Sequence, residues 1–148
     1  MNIQCVAYIG KQNNPIFVKN LGGPENELRY HFISHVSCDI IEERTSAAVK
    51  GSTDLYLGHL SSMEDIAVYG CVTNTKIKIV VILQLADIIV KDSDMRQLFK
   101  RLHSAYANFV SNPFYLTDDG APAGSKVIAS KKFSETVENI ARSHVATA

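Results

Sequence analysis

The sequence predicts a single α+β sandwich, a five-stranded antiparallel sheet covered by helices, with elements in the order ββαβββαα. Three observations lead there. Apolar residues switch between strand and helix spacing along the chain, turn residues sit at the switches, and Val80-Val81-Ile82-Leu83 is apolar at every position, as a strand buried on both faces requires. The chain has 148 residues, 46% of them hydrophobic and 20% charged. That length and balance suit one packed domain, taken as residues 1–148, with a core large enough to need no staples.

The elements follow in order. Ile3, Cys5, Ala7 and Ile9 alternate with other positions, Asn13-Asn14-Pro15 supplies a turn, and Ile16-Phe17-Val18 resumes an extended run, which together read as a hairpin. Gly22-Gly23-Pro24 breaks the second strand. Leu28, Phe32, Val36 and Ile40, with Ile33, then recur at helical spacing to about residue 45, and this stripe is expected to pack on the hairpin. After Lys50-Gly51-Ser52 come three extended runs, beginning at Leu55, Ile66 and Ile77 and joined by short polar turns, as in an antiparallel meander.

Asp92, Ser93 or Asp94 can cap the next helix, in which Met95, Leu98, Phe99, Leu102, Ala105, Tyr106, Phe109 and Val110 fit the helical template. Asn112-Pro113 ends it, because proline disfavours a helical residue before it. Residues 113–130 form a connection longer than the usual ~12–15 residues. Phe133, Val137, Ile140 and Ala141 define a last helix that can pack beside the preceding one.

Charge and cysteine usage narrow the function. Fifteen basic and fifteen acidic groups cancel, so no basic field exists to gather nucleic acid or an anionic membrane. Residues 1–75 carry 5 basic and 8 acidic groups, and residues 76–148 carry 10 and 7, a mild polarity. Cys5, Cys38 and Cys71 are odd in number and far apart, which fits neither a disulfide framework nor a zinc site and implies a reducing compartment. With no basic, apolar leader and no ~20-residue apolar run, the expected location is the cytosol, without direct membrane insertion.

Candidate chemistry is thin. His31, His35 and Asp39 share one helix face and could in principle hold a metal, but the residue after His31 is Phe32, not the glutamate of a zinc-protease helix. Gly120-Ala121-Pro122-Ala123-Gly124-Ser125-Lys126 has three residues between its glycines where a phosphate loop has four, and Ser precedes Lys. Each cysteine lies in or beside an apolar periodic segment, where a thiol is a packing group, although Cys38 beside Asp39 could be partly exposed. No catalytic residue, metal ligand or cofactor is therefore assigned, and the chain is read as a non-enzyme. Asp39, Glu42 and Glu43 place carboxylates in the C-terminal half of the first helix, where the helix dipole disfavours them. Solvation with Arg44 and Lys50 nearby is one account, and a partner's basic side chain is the other.

The run Glu64-Asp65-Ile66-Ala67-Val68-Tyr69-Gly70-Cys71-Val72-Thr73-Asn74-Thr75-Lys76-Ile77-Lys78 resembles a signature of the sedlin-type subunits of the trafficking protein particle (TRAPP) complex. Four other segments agree in order: Asn13-Asn14-Pro15, His35-Val36-Ser37-Cys38-Asp39, Leu55-Tyr56-Leu57-Gly58, and Leu102-His103-Ser104-Ala105-Tyr106 leading to Asn112-Pro113-Phe114-Tyr115. Together they span most of the chain. Cys38, Glu42 and Cys71 stand where the family has leucine, aspartate and tyrosine, and Ser61-Ser62 replaces a Tyr-Pro pair.

The resemblance implies a longin-like, sedlin-like fold with the first helix on one face of the sheet and the last two on the other. It also implies a non-catalytic subunit that helps assemble or stabilise a tether promoting nucleotide exchange on Rab GTPases in ER-to-Golgi and intra-Golgi transport. Its partners would be other TRAPP subunits, small core ones and a large scaffold, with the Rab GTPase met only through the assembly and no nucleic acid involved. Peripheral association with Golgi and ER membranes would come through the complex. The family aspartate at Asp39 is implicated in subunit binding, so Asp39, His35, Glu42 and Glu43 are the candidate partner-binding residues. Alternatives are another longin-type trafficking module, such as a SNARE regulatory domain or an adaptor small subunit, or a small-ligand or metal-binding domain. A SNARE would carry heptads and an anchor, and neither pattern occurs in these residues.

Overall fold

The computed structural model describes residues 2–10, 15–21, 27–47, 56–63, 66–73, 77–84, 92–110 and 131–145. Strands β1 (Asn2–Ile9) and β2 (Pro15–Asn20) precede helix α1 (Glu27–Ala47). Strands β3 (Tyr56–Met63), β4 (Ile66–Val72) and β5 (Lys78–Gln84) follow, then α2 (Asp92–Val110) and α3 (Lys131–Val145). This is the predicted order. The turns at residues 11–14, 22–26 and 50–52, the connection 113–130 and the glycine pattern from Gly120 to Lys126 lie outside the described residues.

The five strands form one antiparallel sheet in the order β2-β1-β5-β4-β3. The meander β3-β4-β5 thus meets the hairpin β1-β2 where β5 pairs with β1. Strand β5 is buried from Lys78 through Leu83, as the continuous apolar run requires. Its odd-numbered residues Ile79, Val81 and Leu83 join the core beneath α2 and α3, and Val80 and Ile82 join the core beneath α1. One helix therefore covers one face and two cover the other, the α+β sandwich with a longin-like arrangement expected above.

The first strand departs from simple alternation. Cys5, Ala7 and Ile9 face α1, whereas Ile3 joins Val6 and Tyr8 in the opposite core. The β1–β5 register shifts between Ile3 and Cys5, and one extra residue in a strand reverses the facing of everything before it. Glycines adapt the other half of the sheet. Gly58 takes φ 77° next to a register shift in β3, a left-handed conformation that glycine adopts without Cβ penalty. A Cβ on Gly70 would stand 2.6 Å from Leu60 Cδ1 and 3.3 Å from Ile41 Cδ1, so its absence lets α1 settle on β4.

Helix α1 packs with the face opposite to the expected one. Leu28, Phe32 and Val36 are exposed by 82%, 66% and 36%, and the buried residues are Tyr30, Ile33, Ser34, Ser37, Cys38 and Ile41. Of the expected stripe, Leu28, Phe32 and Val36 are therefore not on the sheet-packing face, whereas Ile33 is buried there and Ile40 is half-buried at its margin. The physical reason is that small polar residues became core residues. Ser34 Oγ donates to Tyr30 O at 2.8 Å, Ser37 Oγ to Ile33 O at 2.8 Å, and Cys38 Sγ to Ser34 O at 3.3 Å. Bonded one turn back along their own helix, these side chains lose little on burial and keep α1 close to the sheet.

At the other end of α1, Arg44 Nη1 donates to the carbonyls of Leu57 and His59, at 3.1 and 2.7 Å. Two backbone acceptors of the edge strand β3 are thereby occupied by a side chain, one way of blunting an open sheet edge.

Beneath α2 and α3 the core is aromatic. Tyr8 stacks on Tyr106 with centroids 5.6 Å apart and meets Phe133 edge-on at 5.4 Å and Phe17 at 6.1 Å. Its hydroxyl donates to Leu102 O at 2.8 Å, so one side chain of the hairpin is tied to both helices. Tyr8→Phe should cost about 0.5–1.5 kcal/mol, the net value of that hydrogen bond. Tyr8→Ala should cost about 3–5 kcal/mol through the cavity it opens. Urea unfolding of the two variants measures both, and equal losses would refute the division between bond and packing.

Candidate functional site

Turning α1 so that Ser34, Ser37 and Cys38 face the sheet fixes what its other side presents. At 3.6 residues per turn, Leu28, Phe32 and Val36 share the outward side with His35, Asp39 and Glu43. His35, Asp39 and Glu43 are all exposed. The result is an apolar stripe with a carboxylate-rich C-terminal end, on a helix whose inner face is already satisfied. Isolated exposed apolar residues are ordinary, whereas Leu28, Phe32 and Val36 form a contiguous exposed row along two helical turns.

Three of the four expected binding residues are therefore brought together on that face. Glu42 is placed differently, at the flank of α1 beside the sheet. Its Oε1 accepts from Lys78 Nζ at 3.3 Å, with the lysine side chain 7% exposed and the glutamate 51%. Lys78 is buried under α1, and its charge is answered by the carboxylate above it. The signal for this pair was the acidic residue at the wrong end of the helix dipole, which an ion pair to the sheet offsets.

His31 lies on the same side and faces Glu27, Nε2 to Oε1 at 3.9 Å. No three His, Cys, Asp or Glu side chains come together as a metal-holding group among the described residues, so the His31, His35 and Asp39 line does not converge on a point. No helix of the described residues is long and apolar enough to cross a membrane.

The three cysteines are free and buried. Burial pushes the thiols of Cys5 and Cys71 up to about 12 from an ordinary 9.0, in Cys71 against a lowering hydrogen bond from the backbone of Ile79. The Cys38 thiol is also raised, chiefly by burial, with Lys78 pulling it down and Asp39 and Glu42 pushing it up. A thiol raised in this way is held protonated at neutral pH and is a poor nucleophile. Cys38, a packing group that could have been partly exposed, is 2% exposed, because it belongs to the packing face of α1.

The model of the family described as Sedlin matches residues 8–143. The chain belongs to the sedlin family. A Dictyostelium discoideum protein named trafficking protein particle complex subunit 2-like protein is 46% identical over 142 residues, covering 93% of this chain and 95% of that protein. Proteins of the same name from Bos taurus and Xenopus tropicalis are 40% and 37% identical, covering 78% and 92% of this chain and 84% and 94% of their own lengths. The sedlin signature noted in the sequence maps to β4 and the start of β5, with residues 74–76 between them outside the described residues. It is thus largely a core and hairpin signature. Thr73 N donates to Ile77 O at 2.8 Å and Ile77 N to Thr73 Oγ1 at 3.1 Å, closing that hairpin.

Two outcomes test these placements. Glu42→Gln should destabilise the fold by about 1–2 kcal/mol, between the values for exposed and buried pairs, and Glu43→Gln should be neutral. Chemical denaturation of both variants reads the difference directly. The raised thiols predict alkaline sensitivity: the unfolded chain releases these protons from about pH 9, while the folded chain holds those of Cys5 and Cys71 to about 12. Their stabilising contribution is therefore complete below pH 9 and erodes above it, by about 1.4 kcal/mol per pH unit for each thiol. Urea midpoints across that range should fall, and the fall should be shallower in Cys71→Ala.

Proposed function

We propose that this chain is a non-catalytic subunit of the TRAPP tethering complex and docks on a neighbouring subunit through the outward face of α1. The observation that carries the reading is the exposed row Leu28, Phe32 and Val36 with Asp39 on the same side. The names of the relatives supply the assembly. In this reading the apolar row provides the contact area, and Asp39, His35 and Glu43 set the register by meeting a basic group of the partner. Glu42 contributes at the flank while it holds Lys78.

The consequence for the cell is assembly or stability of a complex that acts as a Rab guanine-nucleotide exchange factor in ER-to-Golgi and intra-Golgi transport. The subunit meets the small core subunits or the large scaffold directly, and the Rab GTPase and the membrane only through them. Exchange chemistry then belongs to the assembly.

The test is affinity purification of the tagged chain from cells with quantitation of co-purifying TRAPP subunits. Phe32→Glu should reduce recovery by about tenfold or more, as expected for a central apolar anchor, and Asp39→Arg should do the same by charge reversal. Circular dichroism and thermal unfolding of both variants should match the parent protein, because both side chains are exposed. Undiminished recovery with both variants would remove α1 as the docking surface. Absence of TRAPP subunits from the parent purification would remove the reading itself.

A further inference from the structure

The other face of the sandwich carries a second surface. Helices α2 and α3 run antiparallel: Phe109 of α2 and Phe133 of α3 meet at one end, and Lys100 and Ile140 line the same hollow at the other. Between them lie two hollows of about 440 and 280 Å³ that share Ala105, Asn108 and Thr136 in their walls, and so form one continuous trough. Its floor is apolar, made by Ala105, Phe109, Phe133 and Ile140. Its rims are cationic, with Lys100 and Arg101 on the α2 side and Lys132 on the α3 side. No carboxylate stands among the described residues that line it, and Glu138 of α3 is turned away to Lys19 of β2 at 3.6 Å.

We infer that this trough binds an acidic amphipathic segment of a partner protein, with the segment's apolar side on the floor between the helices and its carboxylates against the lysines of both rims. Charge complementarity argues for the acidic character, since Lys100 on one rim and Lys132 on the other present cations in a chain whose overall charge is zero. Shape argues for a peptide over a lipid surface. The hollows run lengthwise between two helices, and a helix or extended strand laid along them meets the half-buried Ala105 and Phe109 and both lysines at once. The trough and α1 lie on opposite faces of the sheet, so a partner here leaves the α1 face open. One small domain would then join two partners, one through an apolar and acidic helix face and the other through a basic groove.

The experiment uses the full chain, labelled with nitrogen-15, and a synthetic helical peptide of about four turns with leucines on one side and glutamates flanking them. The probes for comparison are the same peptide with lysine in place of glutamate, and vesicles of phosphatidylcholine with phosphatidylserine. The acidic peptide should bind saturably, with amide shifts concentrated at Lys100, Ser104, Asn108, Lys132 and Thr136. Binding should weaken with added salt and fall about tenfold or more in the Lys100→Glu/Lys132→Glu variant. The lysine peptide should not bind. Shifts confined to α1, equal binding by both peptides, or unchanged binding by the variant would each overturn the inference. Binding of the vesicles with no response to the acidic peptide would replace it with a membrane contact. Because no TRAPP subunit is used, failure here leaves the α1 reading untouched, and failure of that reading leaves this one standing.

Discussion

The whole arrangement depends on β5 being buried on both faces. A strand in that position has no solvent side, so the chain must supply a cover for each face, and it does so from different stretches: α1 from between the hairpin and the meander, α2 and α3 from after it. The pairing of β5 with β1 welds the two halves into one sheet. Once that pair is formed, the apolar residues of β1 divide between two cores, and each helix has a prepared surface to meet. The hydrophobic effect is non-directional. The strand ladder gives it direction here.

Most of this was legible in the sequence because the sheet and the last two helices follow their periods without conflict. Met95, Leu98, Phe99, Leu102 and Tyr106, and Phe133, Val137, Ile140 and Ala141, are the buried positions that helical spacing picks out. Helix α1 was legible as a helix but not in its orientation. It has apolar residues all round, and the inner face is the one that carries Ser34, Ser37 and Cys38, of which a polarity reading places the two serines outside. Their hydroxyl and thiol groups are satisfied within the helix, so small size mattered more than polarity. Ile3 was misplaced for a different reason, since a register shift carries no mark in residue type.

The candidate site shows the same division. Asp39 and Glu43 stand out in the sequence by their position against the helix dipole and His35 by family resemblance, and the fold sets all three on one exposed side. What the sequence hid was the company they keep. The row Leu28, Phe32 and Val36, read as core, turns out to be the apolar part of the same surface. Glu42 was grouped with them, yet it reaches a lysine in β5 that alternation alone would have left in solvent. The sandwich therefore shows two chemically distinct exteriors, an acidic and apolar one on α1 and a basic trough between α2 and α3.

Arg44 limits how such a molecule can associate. An open strand edge invites another copy to add its own strand, and that mode repeats without end because each added copy presents the same edge again. With two carbonyls of β3 already engaged by the guanidinium, that side of the sheet offers a broken row of acceptors and a charged side chain in place of a template. Growth by strand addition is discouraged at that edge, while the two helical faces differ from each other. A domain built this way presents two unlike helical surfaces in place of a repeating one.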